Sequence, residues 1–155
     1  MTRTPRFNHV ALTLPRESLS PEARKEILDF YGDVFGWTEL EQMTKDYQLL
    51  VLSAYDNEQF VYLDASDKPM QVAATDGIAE HFGMSVGTMT ELDEMCGKAK
   101  AWSERDTRVR FIEKHTDNYY DVLDLTSFYV QFLFPLMIEV QHFDWHIDLG
   151  QQVGK

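Results

Sequence analysis

The fold is decided by two similar stretches of sequence, FNHVALTL at residues 7–14 and EHFGMSV at residues 80–86. In each stretch, every second side chain is apolar. The positions between them hold a histidine and then two small residues, so these three share the other face of the strand. This alternation predicts a β-strand with one apolar face and one face that has free space beside the histidine. His81 follows His9 by 72 residues. The chain is therefore predicted to contain one structural unit twice.

A helix and three further strands are predicted after each of these first strands. Ser20 and Pro21 are typical of a helix start, and apolar residues then recur at helical spacing as far as Gly36. Thr88 and Glu91 have the spacing of a capping box, which predicts the start of the second helix. The remaining strands are predicted at residues 37–43, 48–54, 59–63, 108–114, 127–134 and 136–143. The sequence therefore predicts an α+β protein built from two β-α-β-β-β modules.

The two modules are predicted to form a single domain of 155 residues. The first module spans residues 7–64, and the second spans residues 79–143. Residues 65–78 contain proline, glycine and several polar residues, so we predict that they form the linker between the modules. Residues 144–155 are predicted to be a C-terminal tail.

The composition excludes several classes of protein. Hydrophobic residues make up 44% and charged residues 26%, which indicates a globular chain. No run approaches the roughly 18 apolar residues that cross a bilayer, and the N-terminus lacks the apolar segment of a secretory signal, so we expect a cytoplasmic protein with no membrane partner. The 26 acidic and 14 basic residues give a net charge of -12, which would repel nucleic acid. Cys96 is the only cysteine, which excludes a disulfide framework.

Three residues are candidate metal ligands. His9 and His81 occupy equivalent positions in the repeat, and Glu139 interrupts the apolar run of the last predicted strand. Each has an ordinary alternative, because a histidine can be hydrogen-bonded in the core and a strand carboxylate can point to solvent. Together they form a candidate set for Fe, Mn, Co, Ni or Zn that leaves open positions for a substrate. Gln141 shares the strand face of Glu139 and is predicted to line the same site.

Four motifs carry a resemblance to a known family: NHV at 8–10, FYGDVFGW at 30–37, EHFG at 80–83 and LMIE at 136–139. They resemble the vicinal oxygen chelate superfamily, which includes glyoxalase, bleomycin-resistance, fosfomycin-resistance and extradiol dioxygenase proteins. The resemblance covers residues 7–143. It implies two paired β-α-β-β-β modules that form a curved mixed sheet around a metal pocket, with the three candidate ligands at the ligand positions of the family.

The ligand set resembles that of the extradiol dioxygenases. Glyoxalase-type members usually take a fourth ligand from the last strand of the first module, where Tyr62 stands, although Asp64 shares its face. The extradiol resemblance implies Fe(II) and ring cleavage of a catechol-type substrate. It also implies a catalytic role for Tyr129, ten residues before Glu139, although a core aromatic is the alternative reading. His115 is the candidate acid–base residue, by residue type alone.

Two other functions stay open at this point. One is a glyoxalase-like lyase or isomerase, which a functional Asp64 ligand would favour. The other is a non-enzymatic binding protein for small molecules, like those for bleomycin, which a metal-free site would favour. In each case the expected partner is an aromatic or vicinal-oxygen small molecule. We also expect a homodimer, in which the modules pair within one chain or are exchanged between two copies.

Overall fold

The structure, a computed structural model, describes residues 6–56, 58–71 and 80–147. The chain divides into two compact units, each with one four-stranded sheet. The first unit comprises residues 1–77 together with residues 132–135, and the second comprises residues 78–131 and 136–155. Half of the predicted linker and most of the predicted tail lie outside the described residues.

The first unit places one helix on one sheet. Its strands run in the spatial order β1-β4-β3-β2, in which β1 and β4 are parallel and the other pairs are antiparallel. The elements are β1 (His9–Leu14), α1 (Pro21–Phe35), β2 (Thr38–Glu39), β3 (Leu49–Ser53) and β4 (Phe60–Ala65). Leucine and valine side chains of β1, β3 and β4 and one side of α1 are buried and form the core of the unit: Leu12, Leu14, Leu50, Val51, Leu52, Val61, Leu63, Ile27, Phe30, Tyr31 and Val34.

The second unit repeats this arrangement with longer strands. The spatial order is β5-β8-β7-β6, and only the β5–β8 pair is parallel. The elements are β5 (His81–Ser85), α2 (Met89–Arg105), β6 (Arg110–Tyr119), β7 (Leu123–Gln131) and β8 (Met137–Trp145). Helix α2 contacts β6, β7 and β8. We call the sheet face opposite α2 the open face. The α+β class and the repeated β-α-β-β-β order are confirmed.

Helix α1 begins and ends where the sequence predicts, and α2 begins where it predicts. Ser20 Oγ accepts a hydrogen bond from the backbone N–H of Ala23 at 3.2 Å, and Gly36 ends α1 with a φ of 72°. Such a positive φ suits glycine, which has no Cβ. Thr88 and Glu91 form the predicted capping box of α2. Neither helix of the described part is long and apolar enough to span a membrane.

The strand bounds differ most from the prediction at residues 37–43, at 108–114, where β6 extends to Tyr119, and at 127–134, where β7 begins at Leu123. The strand predicted at 37–43 is only Thr38–Glu39, because turn hydrogen bonds form a short 3-10 helix at Glu41–Met43. The strand predicted at 127–134 ends at Gln131. It ends there because the next residues turn away and pack in the first unit, where the buried Tyr31 hydroxyl donates to the Phe132 carbonyl at 2.9 Å. The segment 115–125, which the sequence left unassigned, forms the tip of the β6–β7 hairpin.

Candidate functional site

A buried carboxylate is the centre of the polar cluster on the open face. Glu139 on β8 is only 6% exposed. Its Oε1 accepts a hydrogen bond from the Tyr129 hydroxyl at 2.6 Å, and its Oε2 accepts one from Gln141 Nε2 at 2.8 Å. Nε2 of His81 lies 3.2 Å from the same Oε2. Burial excludes the alternative that Glu139 points to solvent from a half-buried strand.

Strand register explains why these side chains meet. Tyr129 and Glu139 are directly paired across the antiparallel β7–β8 hairpin, so their side chains share one face. Gly83 is paired with Glu139 across the parallel β5–β8 ladder, and His81 precedes it by two residues on the same face. The ten-residue spacing of Tyr129 and Glu139 thus corresponds to neighbouring positions in the sheet.

Gly83 leaves the space beside the carboxylate open. A Cβ added at this position would lie 3.4 Å from Gln141 Oε1 and 3.9 Å from Glu139 Oε2. These are ordinary van der Waals distances, so alanine fits, but any larger side chain would fill the space over the carboxylate. The small residue that follows His81 by two positions therefore keeps Glu139 accessible from the β5 side.

Tyr129 is a hydrogen-bond donor at neutral pH. Burial, and then its hydrogen bond to the Glu139 carboxylate, raise the pKa of Tyr129 to about 12. Because the phenol stays protonated, its hydrogen can serve the Glu139 carboxylate while its oxygen keeps acceptor capacity. The ring of His81 meets the Tyr129 ring edge-on, with centroids 5.5 Å apart.

A β-bulge places His115 on the same face. Ile112 pairs with Tyr129, whereas His115 pairs with Ser127, so β6 has one extra residue between these positions. Without it, strict alternation would place Lys114 rather than His115 on the open face. The bulge therefore determines that an imidazole, rather than an ammonium group, faces Tyr129.

The two residues of the bulge are held by helix α2. Glu113 forms an ion pair with Lys100 at 2.5 Å, and Lys114 forms one with Asp93. On the open face, the His115 ring lies parallel to the Tyr129 ring, with an interplanar angle of 10° and centroids 6.1 Å apart.

Asp117 is a site residue that the sequence reasoning missed. Its Oδ2 lies 3.3 Å from Nε2 of His115. A carboxylate beside one ring nitrogen favours the tautomer that carries hydrogen there, which leaves Nδ1 with a lone pair. The spacing of two residues on one strand was the available signal, but it is informative only once His115 is known to face the site.

His9 lies in the first unit. It is exposed, its ring stacks on Phe60 at a centroid distance of 5.1 Å, and its Nδ1 lies 2.9 Å from Asn8 Oδ1. Because an amide oxygen only accepts hydrogen bonds, this contact selects the tautomer whose Nε2 has the lone pair that metals bind. Asp64 is exposed and pairs with Thr13, so it shares the sheet face of His9.

The donors at Glu139 fit a divalent metal ion. Two ligands about 2.0–2.2 Å from one ion lie roughly 3.0–3.4 Å apart, and Nε2 of His81 and Oε2 of Glu139 are separated by 3.2 Å. Imidazole nitrogen and carboxylate oxygen suit Fe, Mn, Co, Ni and Zn. Within residues 6–56, 58–71 and 80–147, no group of three or more His, Cys, Asp or Glu side chains could hold a metal. The three-ligand set that includes His9 stays a prediction.

Comparison with known proteins gives information on the fold. No family model matches the chain, and no curated protein matches it. A glyoxalase/bleomycin resistance protein/dioxygenase from Alicyclobacillus acidocaldarius matches 95% of this chain and 97% of its own, at 15% identity and a TM-score of 0.62. The chain has the glyoxalase/bleomycin resistance/dioxygenase fold.

Two further structures with this fold cover nearly the same residues. The lactoylglutathione lyase of Agrobacterium tumefaciens matches 91% of this chain and 96% of its own, at 16% identity and a TM-score of 0.57. A domain of the same fold from a Frankia species matches 90% and 98%, at 16% identity and a TM-score of 0.56. The predicted fold of two β-α-β-β-β modules is thereby confirmed. At this level of identity, the comparisons carry no information on the reaction.

Proposed function

We propose that the protein is a metal-dependent enzyme that cleaves the ring of a catechol-type substrate with Fe(II). The observation that carries this proposal is the buried Glu139 carboxylate, bonded to the Tyr129 hydroxyl and 3.2 Å from Nε2 of His81. A buried carboxylate needs hydrogen bonds, an ionic partner or a metal ion, and a cluster of polar groups around a residue with a raised pKa, here Tyr129, is typical of a functional site. The resemblance to extradiol enzymes favours this reaction.

The metal ligands in this proposal are His81, Glu139 and His9. Tyr129 and Gln141 each donate to the carboxylate and so fix its orientation, as outer partners of metal ligands do. A bound Fe(II) ion supplies Lewis acidity and electrons for a reaction with oxygen. Mn, Ni, Co and Zn are the alternatives that the same donors accept.

Tyr129 and His115 act on the substrate in this proposal. The Tyr129 oxygen accepts a hydrogen bond from one substrate hydroxyl, while the Tyr129 hydroxyl continues to donate its own hydrogen to Glu139 Oε1. Nδ1 of His115 takes the proton that the other substrate hydroxyl releases, because Asp117 favours hydrogen at Nε2. The parallel Tyr129 and His115 rings hold both groups on the side of the sheet that carries Glu139.

Ring cleavage can be tested directly. The purified protein is loaded with Fe(II) without oxygen and mixed with a panel of catechols in air, and oxygen uptake and a yellow product are measured. Glu139→Ala should abolish both signals, Tyr129→Phe should lower turnover by about 10- to 1,000-fold, and His115→Gln by about 100- to 10,000-fold. His146→Ala is the matched control, because His146 bonds Asp124 near the end of the hairpin. If every catechol remains intact with a stoichiometrically loaded protein, the reaction is wrong.

A glyoxalase-like lyase or isomerase is the second candidate function. It is favoured by the exposed carboxylate of Asp64 on the sheet face of His9. The Ni or Zn form would then isomerise a thiohemiacetal, and Asp64→Asn should lower both metal affinity and turnover. In a ring-cleaving enzyme, Asp64→Asn should leave both unchanged.

A non-enzymatic binding protein is the remaining alternative. It is favoured by the finding that the described part of the chain holds no group of three candidate ligands. Elemental analysis of the purified protein, before and after incubation with Fe(II), separates it from both enzymes. Sedimentation of the same samples tests the expected homodimer.

A further inference from the structure

The open face continues well beyond Glu139 as an apolar surface. Four side chains form it, and we call them the apolar strip: Tyr119, Leu125, Phe143 and Trp145. Phe143 is 36%, Trp145 is 45% and Tyr119 is 46% exposed. The Phe143 and Trp145 rings lie parallel at 11° with centroids 6.2 Å apart. Large exposed apolar groups gathered on one face are typical of a binding surface.

The register joins the apolar strip to the polar cluster. Leu125 pairs with Phe143, just as Tyr129 pairs with Glu139 four residues away along the same two strands. Because side chains two and four residues apart share a strand face, Phe143 lies about 13 Å along β8 from Glu139. Between them is one polar row, in which Ser127 pairs with Gln141 and with His115, and Asp117 borders the strip beside Leu125.

We propose that the apolar strip binds the apolar tail of the substrate, whose polar head lies at Glu139. This deepens the proposed function and rests on it, because the head group is taken to be a catechol. The substrate class is then a catechol with an apolar substituent long enough to extend about 13 Å from the ring that reacts. A small catechol would leave the strip uncovered and would bind weakly.

The size of the apolar strip favours a small molecule over a second protein chain. Three aromatic side chains, each 36–46% exposed, present roughly 200–300 Å² of accessible surface. A stable protein interface buries about 800 Å² on each partner, so the strip alone is too small for one. The area of the apolar strip matches that of an alkyl or aryl group. One end of the strip adjoins Gln141 and Glu139, so a ligand bound there could also reach the polar cluster.

The experiment compares catechols that differ only in tail length. Dissociation constants of 4-ethylcatechol and 4-decylcatechol are measured by isothermal titration calorimetry on the Zn(II)-loaded protein, below the critical micelle concentration. The wild type should bind the decyl compound on the order of 100-fold more tightly, since partial burial of each additional pair of methylenes lowers the dissociation constant severalfold and the two compounds differ by eight methylenes. The Phe143→Ala/Trp145→Ala variant should lose most of this ratio. Tyr55→Ala, which removes an exposed aromatic of the first unit, should keep it.

Each result has a defined meaning. Equal affinity for the two catechols, including no binding of either, overturns the inference. The inference is also overturned if the double variant keeps the wild-type ratio of the two dissociation constants. It is overturned as well if the wild type sediments as a dimer and the double variant does not, because the apolar strip would then be a protein interface. If the double variant fails to fold by circular dichroism, Trp145→Ala alone replaces it. If the protein prefers the long tail but cleaves no ring, the proposed reaction is wrong and the apolar strip remains a binding site for the tail. If it cleaves the ring but shows no tail preference, the reaction is supported and the role of the apolar strip is wrong.

Discussion

Removal of one hydroxyl group tests whether the Glu139 cluster is as tightly bonded as its geometry indicates. Tyr129→Phe keeps the ring, which is 8% exposed, and deletes only the donor that lies 2.6 Å from Glu139 Oε1. Because no cavity is created, the change isolates the hydrogen bond. A hydrogen bond to a charged group contributes about 1.5–3 kcal/mol, so we expect the free energy of unfolding to fall by that amount.

A second substitution shows whether the charge of Glu139 is responsible. Glu139→Gln keeps the size of the side chain but makes the acceptor neutral, and a neutral hydrogen bond contributes about 0.5–1.5 kcal/mol. In the Glu139→Gln background, Tyr129→Phe should therefore cost only about 0.5–1.5 kcal/mol. The double-mutant cycle should show a coupling energy on the order of 1 kcal/mol.

The assay is urea unfolding at pH 7, followed by circular dichroism with a common m-value. Tyr55→Phe is the control, since Tyr55 is exposed and its hydroxyl change should stay within about 0.5 kcal/mol of the wild type. A Tyr129→Phe variant that is as stable as this control would refute the reasoning. It would mean that the short contact contributes no net stability.

Metal affinity gives an independent readout of the same variant. If Glu139 is a ligand, loss of the Tyr129 donor that orients it should weaken Co(II) or Zn(II) binding by about 10- to 100-fold. Calorimetric titration of Tyr129→Phe and of the Tyr55→Phe control with each metal measures this affinity. If the variant is less stable but binds the metal as tightly as the wild type, the hydrogen bond contributes to stability but Glu139 is not a metal ligand.

Three further predictions concern the site and the core. Gly83→Val should fill the space beside Glu139 and raise the dissociation constant for a catechol by at least about tenfold, whereas Gly83→Ala should change it little, as calorimetry can show. His81→Ala should weaken metal binding by about 100-fold or more while His146→Ala leaves it unchanged, and equal losses would contradict the assignment. Burial raises the pKa of Tyr31 well above its ordinary value of 10.0. The folded protein therefore holds this proton more tightly than the unfolded chain, so the resulting stability is present below pH 10 and is lost as the pH rises above that value. In urea unfolding at pH 7 and pH 11, Tyr31→Phe should cost about 1–3 kcal/mol at pH 7 and show a smaller alkaline loss than the wild type.

The elements that the sequence predicts well are those with local signals. Strands β1 and β5 follow from strict alternation, and α1 follows from the cap at Ser20 and the glycine at Gly36. Each of these signals acts within about one turn or a few residues, so no distant contact is needed to read it. The repeat of the histidine strand then suggests the second unit from the first.

The strand bounds that the sequence misses depend on contacts between distant residues. Nothing between residues 127 and 134 indicates that the strand stops at Gln131. The stop depends on Tyr31, which is about 100 residues away in sequence and whose hydroxyl also accepts from the Phe132 backbone N–H. A completely buried phenol needs a hydrogen-bond partner, and the turn supplies one. Such a requirement is visible only in three dimensions.

The site residues also fall into those that local sequence signals could place and those that only the folded structure shows. Glu139 and Gln141 could be placed together from strand parity, whereas Tyr129 was placed with them by the resemblance, and the structure brings all three into contact. His81 joins them because a parallel strand pair puts it beside β8, which the resemblance implied but spacing alone could not show. Asn8 was read only as part of a motif, although it orients the His9 ring.

His115 shows why residue type and parity together can still mislead. Counting by two from Ile112, which pairs with Tyr129, places Lys114 on the open face and His115 on the helix face. The bulge reverses this, and its cause is spread over two elements, because α2 supplies partners for both Glu113 and Lys114. Satisfying two surface charges against the helix thus turns the next side chain of β6 toward Tyr129. The position of the candidate acid–base group is therefore set from the opposite side of the sheet, and substitutions on α2 should reach the site through the bulge rather than through any direct contact.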